Sequence, residues 1–247
     1  MKTRHGWIAA AAGIMAIAAA MTGLQHAQDM RLTPLPKIKI TGSVSVQRDS
    51  GGSWLVSPWV TVTRDGEPLG GLDVRLEDIP LRESFAGNYV GGRMTEITPA
   101  AGDMLNLAIA SKPLLPTERS RRLSISCSAR IGSLVQITAP APGSSFVLSS
   151  LGTTLAVSWT GGTPPFELYL GRRAGAAPRI FSQSGLMDSS FVLPGTLFTA
   201  GNSYLLCISY GMNSFLIKCK DRDPGFKLDS SSEVKLRCAD YSEFSMN

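Results

Sequence analysis

Beyond residue 36 the chain is built from short runs in which apolar and polar residues alternate. A period of two belongs to strands with one face buried. Leu72-Asp73-Val74-Arg75-Leu76 and Phe166-Glu167-Leu168-Tyr169-Leu170 show it most plainly. Gly, Pro, Asp and Asn interrupt the runs at intervals of roughly 8–12 residues, the spacing of an all-β sandwich. Helical periodicity is almost absent. The pattern predicts strands over 37–46, 54–63, 72–76, 104–110 and 123–129. After a short connection it predicts a second set over 134–139, 154–159, 166–170, 179–182, 190–193, 203–210, 214–220 and 233–238.

The two sets resemble versions of one module. Val60-Thr61-Val62-Thr63, a Gly/Pro turn and Leu72–Leu76 parallel Leu155–Trp159, Gly161-Gly162-Thr163-Pro164-Pro165 and Phe166–Leu170. Further along, Ala101-Gly102-Asp103 parallels Ala200-Gly201-Asn202, each ahead of a strand. Gly, Asn and Asp tolerate positive φ, which suits a sharp corner before a central strand. These matches place a boundary near 130–135. The predicted modules are residues 36–132 and 133–240, with 241–247 as a tail.

The first half carries Val62-Thr63-Arg64-Asp65-Gly66-Glu67-Pro68-Leu69, then Leu72-x-Val74-x-Leu76 and Gly87-Asn88-Tyr89. It resembles bacterial immunoglobulin-like repeats and transthyretin-like surface modules. The second half carries Ile137-Thr138-Ala139-Pro140 and Val157-Ser158-Trp159-Thr160-Gly161-Gly162-Thr163-Pro164-Pro165-Phe166. It is similar to PKD-like and fibronectin type III-like modules of extracellular proteins. The resemblance implies an all-β chain of two tandem immunoglobulin-like β-sandwich domains after an N-terminal signal segment. Its motifs are turn chemistry, so they lend a fold and no functional residue. Trp159 is expected as the core tryptophan of the second sandwich.

The ends and the composition add a compartment. Lys2, Arg4 and His5 precede an uncharged run from Trp7 to Ala20, the layout of a secretory signal over residues 1–27. Extended to Leu24 and left uncleaved, the run would be long enough to serve as a membrane anchor. The net charge of +5 falls to +3 without Lys2 and Arg4, and the remaining charges are scattered, with Arg119-Ser120-Arg121-Arg122 the densest group. A scattered balance of this size gives no nucleic-acid footprint.

Only two histidines occur, His5 and His26, both in the leader. A chain cut after Ala27 has no imidazole, which excludes Ser-His-Asp and Cys-His catalysis and His-ligated metals. No G-x-S-x-G or S-x-x-K motif supplies another nucleophile. Glu77-Asp78 and Glu96 lack the facing geometry that a glycosidase pair requires. The sequence therefore predicts a protein that is not an enzyme. Four cysteines in an exported chain favour disulfides. A hairpin centred on Asn213 would set Cys207 against Cys219, leaving Cys127 and Cys238 to pair.

Two binding chemistries compete with plain structural readings. Asp221-Arg222-Asp223-Pro224-Gly225 has calcium-loop spacing, with Asp229 as the nearest further ligand. It equally suits a solvated turn with no cofactor. Trp54, Trp59 and Tyr89 are candidates for a sugar-stacking face, although residues five apart on one strand fall on opposite faces, so core packing competes. The expected role is an exported binding or structural protein of the periplasm, cell surface or medium. It would meet a protein or surface polymer through strand edges and loops, in adhesion or in an assembly. The alternatives are a carbohydrate-binding accessory protein and a subunit of a surface filament or secretion complex.

Overall fold

The alternating runs form strands close to where the sequence places them. The computed structural model describes residues 34–48, 52–111, 123–150, 152–173, 179–220 and 225–247. Strand β1 (Lys37–Arg48) pairs antiparallel with β2 (Trp54–Arg64). Asp65 and Gly66, at φ 51° and 91°, turn the chain into β3 (Glu67–Pro68), the positive-φ pair that a tight hairpin demands. Strand β4 (Leu72–Leu76) crosses to another sheet with β5 (Ile79–Pro80). Strands β6 (Arg82–Phe85) and β7 (Asn88–Val90) return to β2. Strands β8 (Met104–Ser111) and β9 (Ser124–Arg130) extend the sheet of β4.

The second half begins with β10 (Gln136–Ala139), β11 (Ser145–Phe146) and β12 (Thr154–Thr160). It continues with β13 (Phe166–Arg172), β14 (Phe181–Leu186) and β15 (Ser190–Pro194). Strand β16 (Asn202–Ser214) is followed by β17 (Leu216–Cys219), β18 (Lys227–Leu228) and β19 (Glu233–Met246). Strands β10-β12-β15 make one sheet, while β14-β13-β16-β19 run side by side in another, with β11 parallel to β19. This is the immunoglobulin arrangement of two packed antiparallel sheets. Gly161 and Gly162 follow Trp159 at φ 69° and 75°. A Cβ at 161 would lie 2.0 Å from the Leu134 carbonyl oxygen, so the Trp-x-Gly-Gly segment is fixed by backbone approach as well as by its turn. Trp159 is buried against Phe166, as expected of a core tryptophan.

The halves are joined through their strands. Along β19 every even residue from Val234 to Met246 turns inward. Val234 and Leu236 enter a core with Ile40, Val60, Val74 and Leu107. Cys238, Phe244 and Met246 enter a second core with Leu155, Trp159, Leu168 and Leu206. The inner residues of one continuous strand thus serve both cores. β19 pairs antiparallel with β16 and parallel with β1, giving an eleven-stranded sheet whose main path is β14-β13-β16-β19-β1-β2-β7-β6, with β11, β18 and β3 attached to β19, β1 and β2. The five-stranded sheet β17-β9-β8-β4-β5 and the sheet β10-β12-β15 supply the facing layers of the two cores. Residues Lys37–Asn247 form one compact unit.

Two features differ from the sequence reading. The first core is not filled by residues 36–132 alone: Phe215, Phe226, Val234 and Leu236 belong to it, and β17 and β19 lie along β9 and β1. Residues 241–246, expected as a tail, are the end of β19. Their inward positions include the polar pair Asp240 and Ser242, which hides the alternation. Both are satisfied inside: Asp240 accepts the Ile137 N–H at 2.6 Å, and the Ser242 hydroxyl donates to the Pro140 carbonyl at 2.6 Å.

The hairpin centred on Asn213 does not form. β16 continues through Asn213 to Ser214, Phe215 turns into the first core, and β17 joins β9 in the other sheet. Cys207 faces Tyr169 and Tyr241 across neighbouring strands, whereas Cys219 faces Ile125, one step diagonal from Cys127. Cys127 belongs to the first core and Cys238 to the second. Neither expected bridge is present, and no disulfide links the four.

Candidate functional site

Because the even positions of β19, β16, β13 and β1 point inward, their odd positions make the opposite face of the long sheet. Paired residues in a ladder share a face, so the register writes out that face in rows. One row runs Tyr169–Cys207–Tyr241, and the next runs Glu167–Ser209–Ala239–Gln47. A third joins Gly211, Arg237, Ser45 and Ser57. Side chains along this face leave a groove of about 460 Å³, lined by Tyr169, Tyr241, Arg179, Arg237, Gln47 and Ser209 among others. A smaller hollow of about 360 Å³ shares Glu167, Ser209 and Arg237 with it and reaches Lys235 and Glu233.

The groove floor is held in place. The Arg179 guanidinium lies 5.0 Å from the centre of the Tyr169 ring, a cation–π contact. Tyr241 stands opposite Cys207 in the ladder, and burial with Cys207 alongside pushes the Tyr241 pKa up. Tyr169 is raised as well, by burial and Cys207, with Arg179 acting in the other direction. Both phenols therefore stay protonated as donors across the physiological range. Burial pushes the Cys207, Cys127 and Cys238 thiols up to about 12, so none offers the thiolate a nucleophile requires.

The residues singled out from sequence do not gather into one site. Trp59 is 46% exposed on the open face, opposite Ser43 and Val90. Trp54 packs against both cores, and Tyr89 is fully buried. The Tyr89 hydroxyl donates to the Leu69 carbonyl at 3.1 Å and accepts the Leu72 N–H at 3.0 Å, so it ties a turn inside the sandwich. The three rings share no platform, because period two sends Trp54 and Tyr89 away from Trp59's side of the sheet. Asp221 and Asp223 lie outside the described residues, as do the leader and Arg119–Arg122. The Asp229 carboxylate accepts hydrogen bonds from the Ser231 N–H and hydroxyl, which lower its pKa. Glu77 accepts the Asn106 N–H at 2.7 Å.

Sequence reasoning missed the tyrosine row. Tyr169 stands at an outward position of an expected strand, a legible signal. Tyr241 lies past the expected strand end, and only the pairing of β16 with β19 brings the two together.

No family model matches the chain, and no curated protein matches it. Among solved structures, the human OSCAR ligand-binding domain is similar at 14% identity over 75% of this chain and 96% of that one, with a TM-score of 0.25. The titin I-band fragment I67–I69 is similar at 12% identity over 86% of this chain and 65% of that one, with a TM-score of 0.21. The fold assignment rests on the strand order described above.

Proposed function

We propose that the protein is an exported, non-catalytic binding and structural module that meets its partner through the open face of the long sheet and its exposed edges. The observation that carries this reading is the division of labour across that sheet. Its inner face is used up by two cores, while its outer face keeps a polar groove that no other layer of the described residues covers. The basic start and apolar run of residues 1–27 support export, and the absence of histidine after His26 supports a non-catalytic role. The test is binding of the purified chain to envelope and extracellular-matrix fractions, with Ser45→Trp and Ser209→Trp filling the groove without adding charge. Retention of wild type and loss with both fillers is expected; equal binding by all three chains would refute the reading.

Assembly through strand addition is a second reading. Strand β6 ends the long sheet with all four residues exposed, and Phe85 on it is 67% exposed. An unpaired edge of this kind is a template for another strand.

A further inference from the structure

We infer that the groove over Tyr169, Cys207 and Tyr241 binds an acidic polysaccharide, with Arg179 and Arg237 holding its uronate carboxylates. The inference rests on the binding role proposed above and names the ligand class.

The position of the groove limits what can occupy it. It lies over β13, β16, β19 and β1, interior strands whose ladders pair with neighbours on both sides, and reaches Ser182, Gln183 and Ser184 of β14, the strand that ends the sheet. Over the four interior strands an extended peptide could not add as a strand, because strand addition needs a free edge. Among the described residues its lining is mainly of serines, tyrosine hydroxyls and charged side chains, with no deep apolar pocket to take an aromatic or aliphatic anchor, the feature on which tight protein interfaces turn. What the groove does present are hydroxyls from Tyr169, Tyr241, Ser45 and Ser209 and the amide of Gln47. These groups donate and accept in the manner a ring of sugar hydroxyls requires.

Charge then selects among sugars. Arg179 and Arg237 line the groove against one carboxylate, Glu167. Neither arginine enters the ion pairs formed among the described residues. Arginine binds carboxylates through paired N–H groups, so a polymer with a carboxylate on its sugars complements the excess. Tyr169 and Tyr241 flank Cys207 on alternate strands, about 10 Å apart by strand spacing. The Arg179 stack holds the Tyr169 ring before a ligand arrives, which reduces the ordering cost of binding.

The experiment is calorimetric titration of the full chain with a galacturonic acid hexamer and its fully methyl-esterified form, which keeps the sugar backbone and removes the charge. The acid should bind, the ester about tenfold more weakly or worse, and added salt should weaken the acid. Arg179→Gln and Arg237→Gln should each weaken the acid by about tenfold, with thermal unfolding confirming that both variants fold. Arg75→Gln, on the five-stranded sheet, should bind as wild type. Equal binding of acid and ester, insensitivity to both groove arginines, or preference for poly-glutamate over the hexamer would overturn the inference. If the hexamer fails while the groove fillers still abolish binding to envelope fractions, this ligand class falls and the binding role stands. If neither the hexamer nor the envelope fractions bind, both fall.

Discussion

Asp240 shows what a single buried carboxylate contributes. It is 2% exposed and sits on the inner face of β19, where its side chain accepts the Ile137 N–H. Burial raises its pKa, while the hydrogen bonds from Ile137 and Tyr241 and the charge of Arg48 act against the rise. A carboxyl raised on folding holds its proton longer in the folded chain than in the unfolded one. Its contribution to stability is therefore complete below the ordinary carboxylate pKa and is lost as pH climbs through the raised value. Asp240→Asn keeps an oxygen for the Ile137 N–H and removes the charge. Urea unfolding across pH should show variant and wild type alike in acid, with the variant gaining relative stability through that window. A gap that is constant with pH would contradict the assignment. The same residue explains a sequence-level miss: a polar pair at inward positions 240 and 242 ended the visible alternation, so the last stretch of strand read as a tail.

At the scale of elements, strand identity was legible and strand partnership was not. Leu72–Leu76 forms the strand its alternation predicts, and Asp65-Gly66 turns where its chemistry requires. Local patterns fix such features because they depend on side-chain period and on positive φ. The excursion of β16 to β19 into the first sandwich depends on pairing between residues far apart in the chain, for which no local signal exists. Leu236 tests that pairing. It is fully buried, stands opposite Val44 and belongs to the first core. Leu236→Ala should cost about 2–5 kcal/mol. Its effect should appear as faster amide exchange in β1 and β9 as well as in β19. Exchange confined to the second half would show that the excursion does not support the first.

At the scale of the whole molecule, the shared strands make two sandwiches into one cooperative object. Modules on a flexible tether unfold one at a time, but β16 and β19 cannot leave one core without disturbing the other. Thermal unfolding should follow a single transition, with Trp159 fluorescence in the second core coincident with far-ultraviolet circular dichroism. Val74→Ala, a cavity in the first core, should lower the midpoint seen by Trp159. Two separated transitions would contradict the shared-strand account. The candidate site follows the same logic. Its tyrosines lie in the second half and Ser45 and Gln47 in the first, so the groove exists only where the two are stitched together.

The route of β19 also reaches back to how the molecule is born. Synthesis delivers residues 37–131 early, yet the layer that seals them arrives with Phe215, Phe226 and Leu236. Until then the nascent amino-terminal half has raw borders at β1 and β9, the edges that β19 and β17 later pair with. A premature stop codon just short of Leu236 would therefore undo the beginning of the protein along with its end.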